Sequence, residues 1–176
     1  MYLLNRLCLA VFVSVLVIMG AAAAENTVLK SKTIVLYDPA TADFKPSPGV
    51  PECTTFDTLS GDMAVGSATL MVRMASGCVV PYQWHTPNEE LLFLTGSIVA
   101  QLLGEMPLTL GNGAYLQLPS GRPHRFRCVS KEDCVMLVIA DAGFDIHYVT
   151  ELGREITPGE AITSITQSSF ETQRNL

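Results

Sequence analysis

Two stretches of the chain, GCVVPYQWHTPNEELLFLTG at residues 77–96 and GAYLQLPSGRPHRFRC at residues 113–128, carry most of the information in the sequence. They contain four candidate metal ligands, namely Gln83, His85, Glu89 and His124. Imidazole nitrogens and carboxylate oxygens are ligands that divalent transition metals accept in preference to softer thiolate sites. The two stretches together therefore predict one metal site to which both contribute.

The local sequence indicates how these side chains are brought together. Gln83 and His85 are two residues apart, so on a β-strand they face the same side. The turn-forming residues 86–88 predict a chain reversal that returns Glu89 beside His85, which would place three candidate ligands on one hairpin. His124 follows a rigid loop that contains two prolines and one glycine.

Both stretches resemble the two motifs of the cupins, the RmlC-like cupin superfamily, and the chain looks like a small, exported, single-domain bacterial member. The first motif reads Gly-x5-His-x-His-x3 or x4-Glu-x6-Gly in that family, and the second reads Gly-x5-Pro-x-Gly-x2-His-x3-Asn. This chain has the same spacing, with 16 residues between the motifs. It departs from the pattern at Gln83, in place of the first histidine, and at Cys128, in place of the final asparagine.

The resemblance implies a fold and a ligand set. The fold is all-β, a cupin-type double-stranded β-helix (a jelly-roll β-barrel), with a short C-terminal helical or irregular tail. The ligands are His85, Glu89 and His124, with Gln83 as a weaker fourth through its side-chain oxygen, and Glu89 doubles as a base. The site would hold one divalent transition metal, which is Fe, Mn, Ni, Cu or Zn.

Short apolar or β-branched runs between turn residues predict strands. They cover residues 33–36, 68–74, 91–95, 98–103, 114–118, 134–139 and 145–149. Strand alternation predicts a mostly apolar pocket, because Leu91 and Phe93 share the face of Glu89, and Phe126 shares that of His124. Arg122 could meet an anionic substrate group at the pocket mouth, or could simply be solvated. The third histidine, His147, lies outside both motifs and is predicted to be structural.

The first 24 residues combine a basic start, an apolar stretch and four alanines, a pattern typical of a cleaved signal peptide. An uncleaved membrane anchor is the alternative, and we expect no stable membrane insertion after cleavage. The predicted organisation is a signal peptide at 1–24, an extended lead-in at 25–50, a cupin barrel at 51–150 and a tail at 151–176. The protein would be periplasmic or extracellular.

Charge and cysteine content limit the remaining possibilities. The formal net charge is -6, and -7 without Arg6, which argues against a nucleic-acid partner. Four cysteines follow the predicted signal peptide, an even number that suits an oxidising compartment. Of three connectivities we favour the pairs Cys53–Cys78 and Cys128–Cys134, the latter across a hairpin. The alternative is a free thiol at Cys78 near the metal.

Three functions stay open at this level. The first is a metal-dependent oxidoreductase, similar to a dioxygenase, that acts on a small organic molecule. The second is a binding or sensing module with a structural metal or none, which the weakened ligand at Gln83 favours. The third is a metal-dependent isomerase or lyase. A homodimer is also compatible with Leu92 and Leu94 on the outer strand face.

Overall fold

The computed structural model describes residues 37–38 and 41–165. The chain divides into two units, Met1–Ile34 and Val35–Leu176, and all of the first lies outside the described residues. The predicted signal peptide, the predicted strand at 33–36 and the last part of the tail therefore cannot be compared with the structure. No helix within the described residues is long and apolar enough to cross a membrane.

The described chain is built almost entirely of β-strands. In chain order they are β1 (Lys45–Pro46), β2 (Thr54–Gly61), β3 (Ala68–Met74), β4 (Val79–Trp84), β5 (Glu89–Thr95), β6 (Ile98–Leu102), β7 (Leu108–Leu110), β8 (Tyr115–Leu118), β9 (His124–Cys128), β10 (Cys134–Ala140), β11 (His147–Val149) and β12 (Glu155–Ile156). Helical residues begin at 158 and continue to 165, the last described position. The helical C-terminal tail expected from the sequence is thus present.

The strands form two six-stranded antiparallel sheets. One sheet has the order β1-β2-β3-β10-β5-β8 and the other has the order β12-β11-β4-β9-β6-β7. From β3 to β6, and again from β8 to β11, each step along the chain moves from one sheet to the other. This alternation is the double-stranded β-helix predicted from the sequence, and it is confirmed.

The alternation corrects one local prediction. Strand β4 lies in one sheet and β5 in the other, so residues 85–88 form a crossover between sheets and the predicted hairpin is wrong. The same holds for residues 129–133, which connect β9 to β10 across the two sheets. Turn-forming residues mark where a chain changes direction, but they do not determine whether the next strand pairs with the previous one.

The core lies between the sheets and follows from strand alternation. In β5 the inward residues are Glu89, Leu91 and Phe93, all at most 4% exposed, whereas Glu90 and Leu92 face outward. Strand β10 shows the same period of two, with every second residue from Cys134 to Ala140 buried. Because the inner face of one sheet packs against the inner face of the other sheet, every second residue of a strand lies in the core.

Both disulfides connect the two sheets. Cys53 and Cys78 have sulfurs 2.07 Å apart, and Cys128 and Cys134 have sulfurs 2.14 Å apart. Cys78 directly precedes β4, Cys128 ends β9, and Cys134 begins β10. The backbone N–H of Cys128 donates to the carbonyl oxygen of Cys78 at 2.9 Å, so the two bridges are neighbours at one end of the sandwich.

Gly96 is required by this closed end. Its φ of +74° lies in the left-handed region, and a Cβ atom there would come within 2.7 Å of the sulfur of Cys134 and of the Ser130 hydroxyl. A glycine is therefore needed both for the backbone conformation and for the close approach. The final glycine of the first motif is explained by packing around a disulfide.

Candidate metal centre

The four candidate ligands meet at the end of the sandwich opposite the disulfides. His85 follows β4, Glu89 begins β5 and His124 begins β9, whereas the cysteines occupy the other ends of β4, β9 and β10. Gln83 and His124 are direct partners across β4 and β9. Residues from both motifs, carried by both sheets, therefore share one location.

Three of these side chains form a compact cluster. One potential ligand atom from each of His85, Glu89 and His124 lies within 4.8 Å of the others. Oε2 of Glu89 is 3.6 Å from Nε2 of His85 and 3.9 Å from Nε2 of His124. All three side chains are at most 6% exposed, so this group could hold a metal ion away from bulk water.

Backbone carbonyls set the tautomer of both histidines. Nδ1 of His124 donates to the carbonyl oxygen of Arg122 at 2.9 Å, and Nδ1 of His85 donates to the carbonyl oxygen of Asp145. In a neutral imidazole the proton on Nδ1 leaves a lone pair on Nε2. Both lone pairs are therefore on the nitrogens nearest Glu89, an arrangement found at metal-binding histidines.

Burial controls the protonation of the cluster. Desolvation lowers the pKa of His85 to about 4 and that of His124 to about 3. Desolvation also raises the pKa of Glu89 to about 8. At neutral pH without a metal, the cluster is thus two neutral imidazoles and a protonated carboxyl, because each charged form would be poorly solvated.

Metal affinity is expected to rise about tenfold per pH unit up to about pH 8, and then to level off. Ligation needs the carboxylate of Glu89, whose raised pKa of about 8 means that a metal must displace its proton below that pH. The histidines are already neutral above about pH 4 and add no further dependence. Calorimetric titrations in buffers of different ionisation enthalpy would count the released proton, and an affinity constant from pH 6 to 8 would contradict this expectation.

Gln83 is the least satisfied residue of the site. Its Nε2 lies 2.8 Å from Nε2 of His124, so the amide donates to the same lone pair that a metal would use. Its Oε1 is buried and has no hydrogen-bond partner. A 180° rotation of the side-chain amide would instead bring this oxygen toward the cluster, where it could ligate a metal. The unpaired oxygen therefore fits a fourth ligand, and the donor set as a whole fits a divalent metal.

Replacing Gln83 with histidine is expected to tighten metal binding by about tenfold or more, because imidazole is a better donor than a neutral amide oxygen. The change also removes the amide N–H from the lone pair of His124. Gln117→His, at an exposed position of β8, is the matched control. Equal affinities for the Gln83→His protein and the unmodified protein would show that position 83 does not ligate.

A small cavity of about 60 Å³ adjoins the cluster. Its polar lining consists of Thr54 and the three clustered side chains, and no lysine or arginine of the described residues takes part. The apolar lining comes from both sheets and from one loop: Phe56, Leu70, Val72, Met74, Val80, Leu91, Phe126, Met136, Val138 and Phe144. Drug-sized ligands occupy several hundred Å³, so this cavity suits a few non-hydrogen atoms.

The predicted pocket residues have different positions. Leu91 and Phe126 line the cavity, whereas Phe93 is buried in the adjoining core and does not. Arg122 is also absent from the lining and forms an ion pair with Glu105 at the surface. The predicted role of Arg122 toward an anionic substrate group therefore has no support from its position.

Sequence reasoning missed the loop that covers the site. Phe144 packs against the ring of His85, with centroids 4.3 Å apart, and Asp145 supplies the carbonyl that orients the same histidine. This loop lies about 60 residues from His85 in the chain, and no sequence pattern links the two. His147 stacks on Trp84 with centroids 3.9 Å apart, in keeping with a structural role.

Known proteins share this fold. A family model described as "Cupin domain" matches residues 70–140. The polyketide cyclase RemF from Streptomyces resistomycificus is 20% identical, with a TM-score of 0.60 over 77% of this chain and 94% of that one. The cupin domain of Schizosaccharomyces pombe Cnp3 is 14% identical, with a TM-score of 0.53 over 62% of this chain and 75% of that one.

A third solved structure, the DMSP lyase DddQ from Ruegeria pomeroyi DSS-3, is 24% identical, with a TM-score of 0.50 over 58% of this chain and 57% of that one. No curated protein sequence matches the chain. At these identities the structures establish a common fold, and they do not indicate an activity for this chain. Residues 70–140 thus match the cupin domain model, and the chain has the β-sandwich fold of the solved cupin structures.

Proposed function

We propose that this protein is a metal-dependent enzyme in which His85, Glu89 and His124 hold one divalent transition metal beside an apolar cavity. The observation that carries the proposal is the pair of Nε2 lone pairs, fixed by backbone carbonyls, next to a buried carboxylate. Two histidines and one carboxylate with open positions are typical of non-haem iron, and zinc also accepts them. The metal would be Fe, Mn, Ni, Cu or Zn.

The substrate is proposed to be a small organic molecule without an anionic group inside the cavity. The lining carries no cation among the described residues, and most of its surface comes from aliphatic and aromatic side chains. A charged group would lose its hydration there without gaining a partner other than the metal. The volume of about 60 Å³ admits only the reacting part of a larger molecule unless the covering loop moves.

The protein groups have separate roles in this proposal. Bound metal would supply Lewis acidity or one-electron redox chemistry. His85 and His124 stay neutral and keep their Nε2 atoms toward the site, because their Nδ1 protons are held by carbonyls. Glu89 would ligate the metal through its carboxylate, and its role as a proton acceptor is the one expected from the sequence. The apolar walls exclude water.

The donor set favours an oxidative, dioxygenase-like reaction as the first form of this proposal. A reaction without oxygen is the second form, since solved structures with this fold include a polyketide cyclase and DMSP lyases. The amide N–H of Gln83, which is directed at Nε2 of His124, favours a third possibility, a binding module with little or no metal.

One experiment separates these forms. Protein loaded with each of the five metals is mixed with a panel of phenols, diketones and small unsaturated compounds, with and without oxygen. Oxygen consumption that depends on substrate supports the dioxygenase-like reaction, and conversion without oxygen supports a lyase, cyclase or isomerase. The His85→Ala, His124→Ala double variant is the control. Tight binding of panel compounds without turnover would favour the binding module, and metal binding no better than in the double variant would reject the metal centre.

We also propose that the protein is exported to an oxidising compartment. Two disulfides between the sheets support this, because such bonds persist mainly outside the reducing cytosol. The predicted signal peptide at 1–24 is compatible with it. Mass spectrometry of protein isolated from its native compartment would decide the matter, since cleavage after Ala24 would leave Glu25 as the first residue.

A further inference from the structure

Residues 86–88 connect the proposed ligands His85 and Glu89, and hydrogen bonds from residues outside the metal site hold this segment. Thr86 follows His85, and its backbone N–H donates to Oδ1 of Asp145 at 2.7 Å. The hydroxyl of Thr86 donates to Oδ2 of the same aspartate at 2.5 Å. One exposed carboxylate thus accepts two bonds from the residue next to a ligand, in addition to a contact of 3.1 Å with Nε2 of His147.

The other end of the connection is held in the same way. Asn88 precedes Glu89, and its backbone N–H donates to Oδ1 of Asp141 at 2.9 Å while its side-chain Nδ2 donates to Oδ2 at 2.6 Å. Oδ1 of Asn88 in turn accepts from the backbone N–H of Ser120 at 3.0 Å. This last bond reaches the loop that leads to His124.

The segment from Asp141 to Asp145 contacts His85, the proposed metal ligand. The carbonyl of Asp145 accepts the Nδ1 proton of His85, and the ring of Phe144 packs on the imidazole. The backbone N–H of Phe144 donates to the carbonyl of Met63 at 2.7 Å, which ties the segment to the loop between β2 and β3. Asp145 therefore contacts His85 through its main chain and the neighbouring Thr86 through its side chain.

We propose that residues 141–145 form a clamp in which Asp145 is a positioning residue for the metal ligand His85. The side chain of Asp145 holds residue 86, and this fixes the carbonyl of residue 145 where it orients the imidazole. The carboxylate of Asp145 makes three contacts, and two of them are with Thr86, the residue next to the ligand His85. The inference rests on the proposed metal centre and extends it to residues that touch neither metal nor substrate.

Asp145→Ala tests the clamp. We expect metal affinity, measured by competition with a chelator, to fall by up to about 10- to 100-fold, the range typical of changes to the groups that orient a ligating histidine, because the carbonyl of residue 145 is no longer held in place. Asp145→Asn keeps one acceptor for the N–H of Thr86 and should lose less. Asp133→Ala is the matched control, because Asp133 also accepts a backbone N–H, that of Ser76 at 3.1 Å, but lies at the disulfide end. It should leave metal affinity unchanged.

A second readout needs no metal. Long-range ¹H–¹⁵N NMR spectra of the metal-free protein should show His85 as the Nδ1–H tautomer, and Asp145→Ala should give a mixture while His124 keeps its single tautomer. If Asp145→Ala does not fold, Asp145→Asn provides both measurements. Unchanged affinity together with an unchanged His85 tautomer would overturn the clamp. Absence of metal binding by the unmodified protein would instead reject the proposed function. The NMR measurement of the His85 tautomer would then still test whether Asp145 positions His85.

Discussion

Changing Glu89 to glutamine is expected to weaken divalent metal binding by on the order of 100-fold or more. Glu89 is the only carboxylate in the described cluster, and a neutral amide offers the metal no charge. The metal-free protein should fold normally, because burial raises the pKa of Glu89 to about 8 and the carboxyl is already neutral at pH 7. The glutamine therefore replaces a group of similar shape and equal charge.

The next residue provides a matched control for this substitution. Glu90 faces the outside of β5 while Glu89 faces the interior, so Glu90→Gln makes the same chemical change on the opposite side of the strand. Isothermal titration with each metal should show a loss for Glu89→Gln alone. If Glu89→Gln and Glu90→Gln bind metal equally well, the assignment of Glu89 as a ligand is wrong.

Removing the disulfides should produce the largest loss of stability. Loop entropy predicts that Cys53→Ala, Cys78→Ala lowers the free energy of unfolding by about 3.5 kcal/mol, and that Cys128→Ala, Cys134→Ala lowers it by about 2.4 kcal/mol. The first bridge contributes more because its sequence separation is 25, compared with 6 for the second. Urea denaturation of the three proteins measures both differences.

Two further measurements accompany the cysteine variants. Thiol titration of the exported protein under denaturing, non-reducing conditions should find no reactive thiol, and four reactive thiols would contradict the pairing. Metal affinity should be retained in both variants, because the bridges lie at the end of β4 and β9 away from His85 and His124. A parallel loss of metal binding would mean that the two ends of the sandwich are coupled.

Much of the candidate site could be anticipated because its determinants are local. Strand alternation alone places Leu91 on the same face as Glu89, and Phe126 on that of His124. The motif spacing also anticipates the cupin fold, because its glycines and prolines mark the points where strands end. These relations extend over a few residues, and a linear sequence displays them directly.

Relations over long distances could not be anticipated. The turn residues after His85 do not reveal that the next strand, β5, enters the other sheet. That outcome depends on its pairing with β8 and β10, which are distant in the chain. Asp145 acts on His85 from 60 positions away, and an aspartate in a loop carries no sign of its partner. The hydrogen bond between the side chains of Gln83 and His124 depends in the same way on how side chains pack after the sheets meet.

The two ends of this sandwich are closed by different means. At one end, covalent bonds join the sheets, and at the other, aspartate hydrogen bonds and the ring of Phe144 perform this role. Thermal opening should follow this difference, so amide protons near residues 86 and 88 should exchange with solvent sooner than those near residue 128. The two sheets would then separate transiently at the metal end only, which would admit ligands there. The crosslinked end would keep the strands in their order.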